Sequence, residues 1–279
     1  MHRGVISICH ASRRLIYHDF LHSAAVAVTE DGKTAVFTDL ELYGLGFVDI
    51  TVPSNPQGLN RLSFLDIGDP MGVAIKDKYA LAAVGTYTEE SDDYSGCLVI
   101  VDMQDPNNPF EVLAAKKDFG GWPVAIFVSP DKKYAAVLLD TLYNDGIPSE
   151  PGIVLIYDIS ANDPVDWSLK WNVALAGLPG LRFDTEPNPK YASFNEDNIL
   201  VVTLQWNNAV VIINATDGKV LQSHHAGAVN LKNVDLAHDN MIIQTSNQDL
   251  RRREPDGVVS LENTCVIRLC VYIIHSHSI

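Results

Sequence analysis

Residues 122–140 have the sequence WPVAIFV SPDKK YAAVLLD, in which two apolar segments are joined by a short polar one. The SPDKK segment, residues 129–133, is typical of a tight turn, because Pro fixes φ and Asp bonds to nearby backbone groups. The stretch therefore predicts a β-hairpin. Both segments are nearly continuous apolar runs rather than strict alternations, which indicates strands that are covered on both faces.

The same pattern recurs along the chain. The other hairpins cover residues 23–39, 70–84 and 189–204. A third apolar strand follows each hairpin and carries Asp or Asn near its end, and a polar turn then leads to a fourth strand. One such unit cannot bury both of its faces, whereas several units packed face to face around an axis can. The sequence thus predicts an all-β fold, namely a β-propeller of four-stranded antiparallel blades.

We count four full blades and a partial fifth. They start near Ser23, Asp69, Gly121, Glu186 and Glu254. The predicted propeller domain covers residues 21–262, after a poorly structured N-terminal segment at 1–20. Residues 263–279 form an atypical tail, which lacks the turn and the second strand that the repeat requires. Because closed propellers usually have more blades, we expect either a C-terminally truncated chain or an open edge that pairs with another chain.

The charge of the chain limits its partners. Its 35 acidic and 20 basic residues give a formal net charge of −15, and such a surface repels phosphate backbones. We therefore expect no nucleic-acid partner. The apolar run at residues 264–274 is too short and too charged to span a bilayer, so no membrane insertion is expected. The acidity either keeps the protein soluble or suits bound Ca²⁺.

In the predicted fold, polar residues meet at one face of the propeller. The first strand of a blade lines the channel and the second runs antiparallel to it, so the start of one and the end of the other lie together. The starts of first strands carry Asp69, Trp122, Asp184, Glu186, Glu254 and Asp256. The ends of second strands carry Asp39, Thr86, Asp140, Gln205, Asn207 and Asn208.

These side chains predict a metal or acid–base site. Carboxylate oxygens suit Ca²⁺, and the predicted ligands are Asp39, Asp140, Asp184, Glu186 and Asp256. The predicted catalytic residues are the acid–base candidates Asp184, Glu186 and Glu254, with Asn207 and Asn208 as orienting groups. The alternative is that each Asp or Asn only caps a turn by bonding to backbone N–H groups.

Several segments resemble a known family in the same order. The segment GFVDITVPSNP, residues 46–56, resembles the first blade of proteins described as "esterase-like activity of phytase", which are close to choice-of-anchor I and alkaline-phosphatase-like propellers. Further segments that agree are 128–137, 184–191, 202–212 and 253–256. The chain departs from the family at Trp206, where relatives carry Glu.

The resemblance implies a hydrolase that is secreted, periplasmic or at the cell surface, although no clear signal peptide is recognisable in this sequence. We therefore predict a Ca²⁺-assisted hydrolase of a small phosphoester or ester. Two alternatives stay open at this point. One is a non-catalytic extracellular propeller that binds a protein or glycan on one face, and the other is an inactive truncated fragment.

Overall fold

The structure is a computed structural model that describes residues 25–88, 93–111, 117–144, 147–234, 246–261 and 264–266. The predicted N-terminal segment and most of the predicted tail lie outside these ranges. The described residues form strands, with a single 3-10 turn at Pro164–Asp166 and no α-helix. Within them, no helix has the length and apolar character that crossing a membrane requires.

The first two sheets are antiparallel meanders in which neighbouring strands follow one another along the chain. Sheet 1 contains β1 (Val26–Val28), β2 (Thr34–Asp39), β3 (Gly44–Asp49) and β4 (Gln57–Ser63). Sheet 2 contains β5 (Asp69–Lys76), β6 (Tyr79–Thr88), β7 (Asp93–Asp102), β8 (Phe110–Glu111) and β9 (Lys117–Asp118). The last two strands both pair with β7, so the fourth strand of this sheet consists of two pieces.

The next two sheets repeat the arrangement. Sheet 3 has the strand order β10 (Pro123–Val128), β11 (Tyr134–Leu139), β14 (Ile153–Asp158) and β15 (Ser168–Ala174), and its middle connection carries the hairpin β12 (Leu142–Asn144) and β13 (Ile147–Glu150). Sheet 4 contains β16 (Tyr191–Phe194), β17 (Ile199–Leu204), β18 (Ala209–Asn214) and β19 (Lys219–His225). The hairpin β12–β13 is an addition that the sequence repeat does not predict.

Two two-stranded sheets follow sheet 4. They are β20 (Ala228–Val234) with β21 (Ser246–Arg252), and β22 (Val259–Leu261) with β23 (Thr264–Val266). The sequence did not predict the first pair. The second pair corrects the expectation that the tail lacks a second strand, because Val259 pairs with Val266 and Leu261 with Thr264 in an antiparallel register.

The turns inside the hairpins show why these residues form the repeat. Asp131 accepts hydrogen bonds from the Ser129 hydroxyl at 2.8 Å and from the Lys133 N–H at 3.1 Å. The first hairpin has the same turn, in which Asp31 accepts from the Thr29 hydroxyl at 2.7 Å and the Lys33 N–H at 3.1 Å. A hydroxyl residue followed two positions later by Asp therefore closes both turns by side-chain bonds to the backbone.

The Asp or Asn that ends each third strand also has a common role. In every one of the four sheets its carboxylate or amide oxygen accepts from the backbone N–H two residues further on, at 2.8 to 3.0 Å. These residues are Asp49, Asp102, Asp158 and Asn214. The bond turns the chain towards the fourth strand, which is the Asx-turn function expected of these side chains.

The described residues fall into two compact units, which divide the strands of sheet 3 between them. Unit 1 runs up to Val128 and includes Ala135–Val137 and Tyr157–Ser168, and the other described residues form unit 2. The core of unit 1 lies between sheets 1 and 2. Its buried side chains are Val36, Leu45, Phe47, Phe64, Val73, Ala80, Ala82, Val84, Cys97, Val99, Val101 and Met103.

Unit 2 has a core on sheet 4, where Val201 and Val210 pack with Val258, the residue before β22. Strand β17 is buried almost throughout, whereas the outer strand β19 is largely exposed. The inner strands are thus covered on both faces, as their continuous apolar sequences predict. The polar residues next to the buried strand β17 therefore lie mainly beyond its ends.

Candidate functional site

A buried asparagine organises the loop that leads into sheet 4. Asn207 is 1% exposed, and its amide nitrogen donates to the carbonyls of Arg182, Phe183 and Glu186 at 2.8, 3.1 and 2.9 Å. Its amide oxygen accepts from the Asn188 N–H at 2.8 Å. The loop at residues 182–188 is therefore wrapped around one side chain at the end of β17, which fixes the position of Glu186 relative to the sheet.

Asp140, at the end of β11, has several partners on the strand entry that follows this loop. Its Oδ1 accepts from the Thr141 N–H at 2.8 Å and from the amide nitrogen of Asn188. Its Oδ2 lies 3.2 Å from the Lys190 ammonium, and both side chains are about one-quarter exposed. This ion pair is only partly shielded, so the ammonium group of Lys190 is within reach of solvent.

A second acid lies beside this ion pair. The Tyr143 hydroxyl donates to Glu186 Oε2 at 3.1 Å. Burial raises the pKa of Tyr143, and the hydrogen bond to Glu186 and the charges of Glu186 and Asp140 raise it further. The phenol is therefore a proton donor at neutral pH.

A side-chain hydroxyl links the end of β11 to the loop at residues 182–188. The buried Thr141 hydroxyl donates to the Pro187 carbonyl at 2.7 Å and accepts from the Gly152 N–H at 2.9 Å. A side chain at Gly152 would collide with the Pro187 carbonyl, since a Cβ there would be 2.2 Å from that oxygen. We call Asp140, Tyr143, Glu186, Asn188 and Lys190 the strand-end cluster.

The strand-end cluster contains an acceptor that has no donor. Asn188 Oδ1 is buried and, in the described part of the chain, makes no hydrogen bond. Buried polar atoms are nearly always paired, so such an atom is typical of a place where a water or a ligand binds. The cluster thus combines two carboxylates, an ammonium group, a protonated phenol and an open acceptor.

Asn208, like Asn207, is buried and donates its amide N–H groups to backbone carbonyls. Asn208 is fully buried, and its amide nitrogen donates to the Gly227 carbonyl at 2.9 Å. Its oxygen accepts from the Glu254 N–H at 2.9 Å. The Asn208 amide nitrogen also lies 3.2 Å from His225 Nε2. Both asparagines thus bond to backbone groups, and the predicted orienting role of Asn207 and Asn208 towards a substrate stays a prediction.

The other predicted acids of unit 2 lie apart from this cluster or on its margin. Asp184 is exposed, and its carbonyl accepts from the Gly177 N–H at 2.8 Å. The Glu254 carboxylate lies 2.9 Å from Arg252 Nε and lines a depression of about 200 Å³. Asp256 contributes its carbonyl, which accepts from the buried Thr203 hydroxyl at 2.5 Å.

The predicted site residues of unit 1 have different surroundings. Asp39 is 1% exposed and accepts from the Leu42 N–H at 3.1 Å. Its Oδ2 makes no hydrogen bond within the described residues but lies 3.6 Å from Arg61, an ion-pair distance. Trp122 packs on sheet 2, where its ring contacts Tyr94.

Two of the five predicted calcium ligands lie close to a basic side chain. Asp39 faces Arg61, and Asp140 faces Lys190. Across the described ranges, no three His, Cys, Asp or Glu side chains are grouped so that they could hold one metal ion. Asp39 and Asp140 thus each lie within ion-pair distance of a protein cation, and calcium binding stays a prediction.

Sequence reasoning included Asp140 and Glu186 among the predicted metal ligands but missed the other members of the strand-end cluster. Tyr143 and Lys190 both lie at the strand ends that the sequence analysis inspected, but only acids, amides and a few other polar residues were counted there. A count of every residue with an ionisable or hydroxyl side chain at these ends would have included them. Asn188, which carries an amide and lies two residues before Lys190, could have been found by extending the search for amides along the same strand entry.

Comparison with known proteins gives the fold class and little else. No protein-family model and no curated protein matches the chain. Among solved structures, the Pseudomonas aeruginosa periplasmic gluconolactonase PpgL is similar with a TM-score of 0.52 and 14% identity, over 78% of this chain and 58% of that one. The β-propeller domain of Myceliophteria thermophila Cps50 (Swd1) gives a TM-score of 0.46 and 10% identity, over 75% of this chain and 76% of that one.

The chain therefore spans a little more than half the length of the gluconolactonase that it resembles. Its described residues are all-β, with successive four-stranded sheets, and its structural neighbours are propellers. The chain has a β-propeller fold, and the fold class predicted from the sequence is confirmed. At these identities the likeness is one of fold alone, so activity has to be argued from the site.

Proposed function

We propose that this chain is a hydrolase-type β-propeller that cleaves a small ester or phosphoester at the strand-end cluster. The observation that supports the proposal best is the hydrogen bond from Tyr143 to Glu186, next to the Asp140–Lys190 ion pair. It brings a carboxylate, a proton-donating phenol and a cation together at a partly exposed strand end. Membership of the phytase-related esterase-like family, which the sequence resemblance implies, is part of the same proposal.

The residues can be given roles in hydrolysis. The Glu186 carboxylate takes a proton from a water molecule, whose oxygen then attacks the carbonyl carbon or the phosphorus of the substrate. Negative charge develops on the substrate oxygen, where the Lys190 ammonium and the Tyr143 hydroxyl stabilise it. The leaving alkoxide takes the proton from Glu186, so one water is consumed and an acid and an alcohol are released.

Two other groups position the substrate in this proposal. The open acceptor Asn188 Oδ1 binds a hydroxyl of the substrate. Asp140 holds Lys190 in place, because its Oδ2 lies 3.2 Å from the ammonium group. A bound Ca²⁺, which the sequence analysis predicts, would add charge stabilisation of the same developing anion.

The test compares turnover of three probes, which are p-nitrophenyl acetate, p-nitrophenyl phosphate and glucono-1,5-lactone. The lactone is included because it is a cyclic ester and because one structural neighbour is a gluconolactonase. We expect Glu186→Gln to lower kcat at least about 100-fold on the probe that is turned over, since loss of a general base costs about 10²–10⁴. Each assay is run with added Ca²⁺ and with a chelator, which tests the calcium prediction separately.

The matched control is Glu150→Gln, which changes an exposed Glu at the end of β13 in the same unit. It should leave both turnover and melting temperature unchanged. The hydrolase proposal is abandoned if no probe is turned over by the purified protein, or if Glu186→Gln and the unchanged protein have equal kcat values at equal melting temperatures.

A further inference from the structure

Two glycines of sheet 2 leave the space that a tryptophan side chain occupies. Gly85 on β6 and Gly96 on β7 are paired directly across the strands. A Cβ at Gly85 would lie 2.7 Å from the Trp122 ring, and a Cβ at Gly96 would lie 2.5 Å from the Pro123 ring. The lack of side chains at both positions therefore lets the start of the next sheet rest directly on this hairpin.

Two tyrosines lie next to these glycines on the same face of sheet 2. Tyr87 and Tyr94 are the cross-strand pair two positions beyond Gly85 and Gly96, and residues two apart on a strand point to the same side. Their ring centroids are 4.8 Å apart, and Tyr94 meets Trp122 edge to face with centroids 5.7 Å apart. The three rings thus make one continuous aromatic surface.

This surface is open to solvent although its rings are large and apolar. Tyr87 is 47% exposed and Tyr94 is 42% exposed. A carboxylate belongs to the same row, because Asp69 on β5 pairs across the sheet with Gly85 and so points to the same face. The core of unit 1 lies between sheets 1 and 2. Packing of that core therefore does not require exposed aromatic rings beside a carboxylate.

We propose that Tyr87, Tyr94 and Trp122 form a binding platform for a sugar ring. The C–H groups on one face of a pyranose are apolar and slightly positive, so they stack on the negative face of an aromatic ring. The hydroxyls at the rim of the sugar can bond to the phenol groups and to the Asp69 carboxylate. Both requirements, an aromatic face and an acceptor at its edge, are met within this row of residues.

A sugar fits this surface better than an organic cation does. Aromatic cages hold an ammonium group between several ring faces. Here Tyr94 is in direct contact with both of the other rings, so no space is left between them. What remains for a ligand is the outer surface of the rings, which suits stacking of a flat sugar face.

The experiment titrates the full chain with cellotetraose, chitotetraose and mannotetraose by isothermal calorimetry, with tetramethylammonium as a separate titrant. We expect one of the sugars to bind and the double substitution Tyr87→Ala, Tyr94→Ala to weaken that binding at least tenfold. Tyr94→Phe keeps the ring and should retain affinity within a few-fold. Tyr191→Ala, which removes another exposed tyrosine, is the matched control and should change nothing.

Melting temperatures are measured for every variant, so that loss of binding is compared only among folded proteins. The proposal is overturned if none of the sugars binds at millimolar concentration, if only tetramethylammonium binds, or if the double substitution leaves sugar affinity unchanged. These outcomes are independent of the hydrolase test, because the platform shares no residue with the strand-end cluster.

Discussion

The substitution Asn207→Asp tests whether one buried amide holds the loop that carries Glu186. The side chain keeps its shape but exchanges a donor for an acceptor, which then faces the carbonyls of Arg182, Phe183 and Glu186. Each lost hydrogen bond costs about 1 kcal/mol, and the buried charge adds to this. We expect the free energy of unfolding to fall by about 4 kcal/mol at pH 8.

The effect should depend on pH in a defined direction. The new carboxyl is buried without a cation, so its pKa in the folded protein lies above that in the unfolded chain. Its destabilisation is therefore fully present above the folded pKa and becomes smaller as the pH falls through that value. Once protonated, the introduced carboxyl can also donate to one of the three carbonyls.

Urea unfolding followed by circular dichroism at pH 8 and pH 5 measures both effects. Asn207→Ala removes the donors without adding a charge, so its loss should be about 2 to 3 kcal/mol and nearly equal at the two pH values. Asn60→Ala is the mild control, because it removes only exposed hydrogen bonds, one donated to the Asn107 carbonyl and one accepted from the Arg61 N–H. The reasoning fails if Asn207→Asp is no more destabilising than Asn60→Ala, or if its effect does not change with pH.

Two more predictions concern packing and charge. Gly85→Ala should lower stability by about 1 to 3 kcal/mol because its Cβ would overlap Trp122, whereas Gly58→Ala, which has open space around its Cβ position, should be neutral in the same urea assay. Burial alone would raise the pKa of Asp131, but hydrogen bonds from Asn198, Ser129 and Lys133 outweigh it and lower that pKa to about 2. Asp131→Asn should therefore lower the free energy of unfolding by about 1 kcal/mol at pH 7, after discounting for solvent screening. The difference between variant and unchanged protein should vanish as the pH falls from about 4 towards 2. Equal urea midpoints of the two proteins at pH 7 would contradict this.

The hairpins of the sheets were predictable because strand and turn signals agree. At residues 129–134 the turn is closed by Ser129 and Asp131, whose side-chain bonds are local and can be inferred from their types and spacing. The hairpin β12–β13 was missed although Asp145-Gly146 lies between its strands. Asp-Gly is a strong turn signal, but strands of three and four residues are too short to show a period.

The site was only partly predictable for a different reason. The end of one second strand and the start of the next first strand could be inferred to lie together, and the structure does place Asp140 near the loop of Glu186. Whether an amide faces solvent or backbone depends on the path of a loop, which a repeat pattern does not contain. The sequence therefore indicated Asn207 as a polar strand end, while its burial by residues 182–188 needed coordinates.

In sheets 1, 2 and 4, strand pairing joins only segments that are close in the chain. Each pairing therefore closes a short loop, which costs little chain entropy. Such a polypeptide can assemble one sheet at a time as it leaves the ribosome. We expect partially synthesised chains to gain protease resistance in steps of about one sheet.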